Sequence, residues 1–257
     1  MLLAAKSDNL TSANVQPWHL KASFTALDEN GKTTDQGAYE ELWAGRAKYK
    51  RTYTGTALTQ IEYGTEKGIF RAGPHTSPQI QALVQEIHRE LAAPLPSTAT
   101  IESASFESQS RETGGAKLTR LRIMEVLEAG QTFCLDADKP VLRISFFPAE
   151  ETEVVHNMIT FFQGNFIAGD LQFVHTGKLA LTAQLQSIEA LNPISAADFV
   201  PTPGAWPVPR RINISAGVAQ GMLLKNTAPE LPPDAKFEGI QGTAVLQALI
   251  GIDWSYR

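Results

Sequence analysis

The residue types that carry catalysis or metal binding are present but scattered. The five histidines, His19, His75, His88, His156 and His175, show no pair at helical or strand ligand spacing and no nearby cysteine, so no metal site is expected. Asp136-Ala-Asp138 looks like half of a cation loop. Lys139-Pro140 follows it between strand-like segments, which favours a polar hairpin turn. Glu150-Glu-Thr-Glu153 reads as a solvated acidic connector, and Cys134, between Phe133 and Leu135, as a small buried hydrophobe. There is no Gly-x-Ser-x-Gly elbow, phosphate-cradling loop or dinucleotide fingerprint. Paired carboxylates assembled from distant positions remain open, because acid and base need to meet only in space. The expectation is a protein without catalytic residues or cofactor.

The elements that would position any site are mostly strands. Residues 18–27 alternate with period two and run into the turn Asp28-Glu-Asn-Gly-Lys32. Strand candidates follow at 39–43, 48–54, 60–63 and 68–71, then at 117–126, 131–135, 141–147, 160–167, 171–175 and 179–185. One helix interrupts them. Ser77 can cap it, Pro78 suits its first turn, and Ile80, Leu83, Val84, Ile87 and Leu91 share a face until Pro94 and Pro96 end it. The stretch 108–115 reads as polar loop. Prolines 193, 201, 203, 207 and 209 favour a semi-rigid connector.

The run Trp18-His-Leu-Lys-Ala-Ser-Phe24, Gly37-Ala-Tyr-Glu-Glu-Leu-Trp43, Lys48-Tyr-Lys-Arg-Thr-Tyr53 and Gly68-Ile-Phe-Arg71 is similar to the LolA/LolB-like lipoprotein carrier fold. Val141-Leu-Arg-Ile-Ser-Phe-Phe147 and Phe161-Phe-Gln-Gly-Asn-Phe166 continue the likeness to about residue 190. It implies an α+β, mostly β fold in which an antiparallel half-barrel-like sheet carries one or two covering helices. The helix from Ser77 to Leu91 would then roof an apolar cavity, with Trp43, Leu83, Ile87, Phe133, Phe146, Phe161 and Phe166 as candidate lining. Aromatics at strand spacing are also ordinary core residues.

A second resemblance lies at the other end. Arg211-Ile-Asn-Ile-Ser leads to Pro229-Glu-Leu-Pro232, Pro233-Asp-Ala-Lys-Phe-Glu238, Gly239-Ile-Gln-Gly242 and Thr243-Ala-Val-Leu-Gln-Ala-Leu-Ile250. This order resembles a small, incomplete α+β TonB C-terminal domain, with Leu231 where the family has tyrosine and only Gly251-Ile-Asp253 and Trp254-Ser-Tyr-Arg257 beyond its strand. The resemblance implies Pro229, Leu231, Pro232, Gln241 and Gly242 as partner-binding residues, an outer-membrane TonB-dependent transporter or an envelope complex as partner, and weakened transporter binding here.

These likenesses give expected domains at 1–192 (β-rich), 193–210 (proline-bearing linker) and 211–257 (truncated TonB-like). The 257 residues are 43% apolar and 19% charged with a net charge of -5, which suits a globular protein and disfavours nucleic acid or anionic lipid as a partner. No run reaches the roughly 18 apolar residues of a membrane span. The chain is either cytosolic or begins downstream of a signal peptide or anchor, and the resemblances favour the second, a periplasmic location. The expected function is energy transduction from the inner membrane to outer-membrane transporters. The alternative is a periplasmic module that holds an acyl chain or another hydrophobic ligand in the half-barrel.

Overall fold

Residues Trp18–Leu27 form strand β1 because every second side chain, Trp18, Leu20, Ala22, Phe24 and Ala26, is apolar and buried. In the computed structural model of the protein the described residues are 1–208, apart from 13, 76–77, 114–115, 125–129 and 149–150. The chain divides into two units, Met1–Arg210 and Arg211–Arg257, and the second lies outside the described residues.

Strands β2 (Thr33–Trp43), β3 (Tyr49–Thr54), β4 (Thr59–Thr65) and β5 (Gly68–Ala72) continue from β1 as an antiparallel meander. The first turn is set by Asp28, whose Oδ1 accepts from the N–H groups of Asn30 and Lys32 at 2.9 Å, while Gly31 takes the left-handed φ of 78°. Three helices and a second meander complete the architecture. The helices are α1 (Leu2–Ser7), α2 (Pro78–Ala92) and α3 (Thr98–Ser103). The second meander runs through β6 (Ser105–Thr113), β7 (Ala116–Met124), β8 (Thr132–Asp136), β9 (Leu142–Phe147) and β10 (Thr152–Asn157). A hairpin of β11 (Thr160–Phe162) and β12 (Asn165–Ile167) leads to β13 (Asp170–His175) and the long β14 (Lys178–Ala190), which returns to pair with β1.

The result is a 13-stranded antiparallel sheet that ends in β15 (Trp206–Pro207), in the order β15-β5-β4-β3-β2-β1-β14-β13-β10-β9-β8-β7-β6. It is the open, half-barrel sheet with few helices that the sequence implies. Its principal core lies between α2 and strands β1, β2, β3, β13 and β14. Trp18 stacks on its cross-strand partner Trp43 with centroids 5.8 Å apart, and its indole N–H donates to the carbonyl of Leu10 at 3.0 Å. A second cluster joins Ala4, Ala5, Leu95 and Ile101 to Ile123, Phe133, Leu135 and Leu142 under α1 and α3.

Several local expectations change. Residues 108–113 of the polar stretch belong to β6, where Ser108, Gln109 and Ser110 are exposed and polar side chains suit a strand. The acidic connector at 150–153 runs into β10, whose Thr152, Val154 and His156 alternate inward. Segment 160–167 is two strands, reversed at Gln163 and Gly164, both at positive φ. Residues 193–208, the described part of the expected semi-rigid connector, contact the sheet. Phe199 is buried with the Lys48 ammonium 5.3 Å from its ring centroid, and Trp206 and Pro207 pair with Arg71 and Phe70. A proline fits there because an edge strand needs hydrogen bonds on one side only.

Candidate functional site

Helix α2 is the element laid over the inner face. Ile87 and Leu91 are buried in the principal core, and Ile80, Leu83 and Val84 pack against it half-buried. This apolar ridge, spaced three or four residues apart, supplies most of the attachment. Two polar flanks supply the rest, one on each side.

On one flank the sheet presents a ladder of alternating charge. Glu41, Arg51, Glu62 and Arg71 are direct cross-strand partners on β2, β3, β4 and β5. Arg51 donates from Nε to Glu41 Oε1 at 2.9 Å and from Nη1 to Glu62 Oε1 at 3.3 Å. Arg71 donates from Nε and Nη2 to Glu62 Oε2 at 3.0 and 2.9 Å. Tyr39 and Tyr49 add hydroxyl donors to Glu41 at 2.6 Å and Glu62 at 3.2 Å, and the Arg51 guanidinium lies 4.2 Å from the Tyr49 ring centroid. Tyr49 reaches this position by lying across Gly64, where a Cβ would come within 2.0 Å of its ring.

Two α2 side chains close the ladder. Gln81 Oε1 accepts from Arg71 Nη1 at 3.0 Å, and His88 Nδ1 meets Glu41 Oε2 at 2.9 Å. Arg51 Nη2 lies 2.9 Å from His88 Nε2. Glu41 is 0% exposed. Burial alone would raise its carboxyl, but His88 and Arg51 facing it and the hydrogen bonds from His88 and Tyr39 outweigh burial and hold it at about 2. Arg51 is kept charged: burial works against it, and the Glu41 carboxylate more than compensates.

The other flank is fully enclosed. Glu90 accepts from Arg89 Nε at 2.6 Å and from Ser145 Oγ at 3.4 Å, and its Oε2 lies 3.2 Å from His156 Nε2. The Arg89 guanidinium sits 4.1 Å from the Phe147 ring centroid. Ser145, His156 and Glu90 have the residue types of a serine-histidine-acid relay without its geometry. Ser145 Oγ approaches His156 Nε2 at 3.1 Å, the same nitrogen that faces Glu90, whereas a relay needs the acid on the opposite ring nitrogen. All three are buried, so the trio ties α2 to β9 and β10. Nearby, Asp8 accepts from the N–H of Leu142 at 3.1 Å, and burial pushes its carboxyl up to about 7 against that bond and one from Ser7.

Where a roofed cavity is expected, the apolar face of α2 packs against the core residues of the sheet. Recesses beside α2 measure about 10 Å³, lined by Asp8, Glu90, His156 and Phe166 among others, and about 20 Å³, lined by Arg51, Glu62, Arg71 and Gln85 among others. The first has room for about one water molecule. Of the candidate lining residues, the structure brings Trp43, Leu83 and Ile87 together under α2. Phe133 belongs to the second cluster and meets Phe147 edge-on at 6.4 Å. Phe146 alternates with buried Ser145 and Phe147 and is half-buried. Phe166 reaches the smaller recess, while Phe161, its partner in the hairpin, is exposed. Pro229, Leu231, Pro232, Gln241 and Gly242 lie outside the described residues. The sequence reading missed the ladder and the Glu90 cluster. Register was the available signal, since hairpin turns at 45–48, 55–58 and 65–68 set the four charged residues opposite one another.

Among the described residues no helix is long and apolar enough to cross a membrane. Neither a protein-family model nor a curated protein matches the sequence. Solved structures resemble its fold. A LolA superfamily protein from Nitrosomonas europaea aligns over 77% of this chain and 96% of its own, with a TM-score of 0.51 at 7% identity. A domain classed with outer membrane lipoprotein-sorting proteins from Vibrio parahaemolyticus aligns over 72% and 89%, at TM-score 0.46 and 10% identity. A DUF1329 family protein from Desulfovibrio piger aligns over 72% and 90%, at TM-score 0.46 and 9% identity. These findings overturn the expected energy transducer, since the solved structure that carries the likeness is a LolA superfamily protein and no protein-family model matches, and they lend the transporter partner no support. The chain shares the half-barrel fold of the LolA superfamily protein, and at this identity the likeness concerns the fold alone.

Proposed function

We propose that the chain is a non-enzymatic carrier module of the bacterial envelope that holds an acyl chain or a similar hydrophobic ligand on the inner face of the half-barrel, in the place α2 occupies. The observation that supports this most is the form of α2 itself. It is an amphipathic helix on an apolar groove, and its flanks are held by side-chain polar contacts to five strands. Such contacts are replaceable by water once the helix lifts, which makes α2 a removable cover rather than a permanent core element. The groove beneath it, with Trp18, Leu20, Phe24, Trp43, Leu171 and Phe173, is apolar enough to take a hydrocarbon chain. The shared fold with a LolA superfamily protein supports the same reading.

The test is titration with a dansyl-labelled fatty acid. Saturable binding with a blue shift in emission is expected, displaced by unlabelled fatty acid or phospholipid. Bridging Glu41→Cys and His88→Cys with a short bis-maleimide, in a Cys134→Ala background, should abolish it. Binding that survives the bridge would put the ligand elsewhere and end this reading.

A further inference from the structure

The hairpin of β11 and β12, with Met158 just before it, carries two of the most exposed large apolar side chains among the described residues. Met158 is 76% exposed and Phe161 is 63% exposed, and the Phe161 ring leans on Phe166 at 5.3 Å. Exposed apolar side chains are ordinary when isolated, but these are concentrated on one short element. Helix α1, which packs beside β12, adds Leu3 at 72% exposure. Residues 157–169 contain no charged side chain, in a chain that is 19% charged overall. The nearest carboxylate on the adjoining strands is Asp170 at the hairpin base, which accepts weakly from Asn157 at 3.4 Å and Gln172 at 3.5 Å. Lys6 on α1 is exposed.

The hairpin is also held in place, at its base by Met158 and Gly169 and at its turn by Asn165. Met158 takes a left-handed φ of 50°, uncommon for a residue other than glycine, asparagine or aspartate. Gly169 donates to the carbonyls of Asn157 and Met158 at 3.0 and 3.1 Å, and a Cβ on Gly169 would lie 2.5 Å from the Met158 oxygen. Asn165 donates to the carbonyl of Gln163 at 3.0 Å across the turn. The base of the hairpin is continuous with the groove, because Ile159 and Phe162 pack on the principal core and Phe166, Ile167 and Ala168 line the recess at the end of α2.

We propose that this hairpin docks the protein on a lipid surface, with Met158 and Phe161 entering the boundary between headgroups and acyl chains. An uncharged, pre-shaped hairpin with exposed apolar side chains suits that boundary because no ionised group has to be desolvated on entry. Docking there sets the α2 end of the groove against the bilayer. The proposal does not depend on the carrier reading, and the acyl-probe titration checks that reading separately.

The experiment is flotation of the full chain with phosphatidylcholine vesicles, repeated for Phe161→Asp, Met158→Asp and Met158→Asn. Aspartate and asparagine are both at home in the left-handed backbone at 158, so the fold is retained, and the asparagine variant adds no charge. Wild type should float with the vesicles, and each variant should lose roughly tenfold or more in partitioning, with thermal stability and fatty-acid binding unchanged. Absence of wild-type flotation would overturn the proposal, as would variants that float equally well. Self-association of the wild type that the variants abolish would assign the surface to a second copy of the chain, which also overturns it.

Discussion

The two halves of the inner face hold the same helix by opposite means. Strands β2 to β5 meet α2 with alternating charges, while β1, β13 and β14 meet it with Trp18, Leu20, Ala22, Phe24, Leu171, Phe173, Leu181 and Ala183. Apolar contact is strong and non-directional, so it attaches the helix without fixing its rotation or register. The ladder adds little attraction beyond its desolvation cost, but it is directional. Only one placement of α2 puts His88 on Glu41 and Gln81 on Arg71 together. The contrast shows how a cover can be seated in a single position and still leave.

Breaking the charged half should have the largest effect. Glu41→Ala leaves Arg51 buried without its closest carboxylate and should destabilise the protein by about 3–5 kcal/mol in urea unfolding. Replacing Glu41 and Arg51 together with leucines should recover much of that loss, because no uncompensated charge remains. Such a double variant is expected to let α2 shift along the groove. A double variant as unstable as the single one would show that the ladder contributes attraction and not only orientation.

The enclosed flank should respond to pH in the opposite sense to the ladder. Glu41, held at about 2 against 4.5, adds stability in full above pH 4.5 and loses it as pH falls toward 2. Asp8, raised from 3.8 to about 7, imposes no penalty below pH 3.8, a growing one between 3.8 and 7, and the whole of it above. Asp8→Asn should therefore stabilise the protein by about 2 kcal/mol or more near pH 8 and by almost nothing near pH 3.5. Thermal melts at the two pH values check this, and equal effects at both would contradict the assignment.

Gln81→Ala should have the smallest effect. It removes one hydrogen bond at the rim of the ladder, worth about 1 kcal/mol, and should loosen the first turns of α2 more than the last. Amide exchange resolved along 78–92 would show the gradient.

Much of this fold is legible in the sequence because period-two alternation is a direct record of burial. Residues 18–27 are read to the residue, and α2 is recognisable from five apolar positions and the prolines beyond it. The strands at 105–113 and 152–157 are hidden because polar residues interrupt the apolar rhythm, Ser108, Gln109 and Ser110 in the first and the inward-facing Thr152 and His156 in the second. The ladder is hidden for another reason. Its members stand 10, 11 and 9 residues apart, and no local pattern marks them until hairpin register brings them into one row. His88 and His156 likewise lack spacing partners in the chain and find carboxylates only across the helix-sheet interface. The tail at 211–257, with the most motif-like sequence, lies outside the described residues.

Hydrogen exchange of α2 with and without saturating dansyl-labelled fatty acid tests the central claim most directly. If the ligand takes the helix's place, amides in 78–92 should exchange faster in the complex while those of β1, β13 and β14 stay protected. Slower or unchanged exchange in α2, alongside saturable binding, would contradict it and make the helix a fixed part of the core.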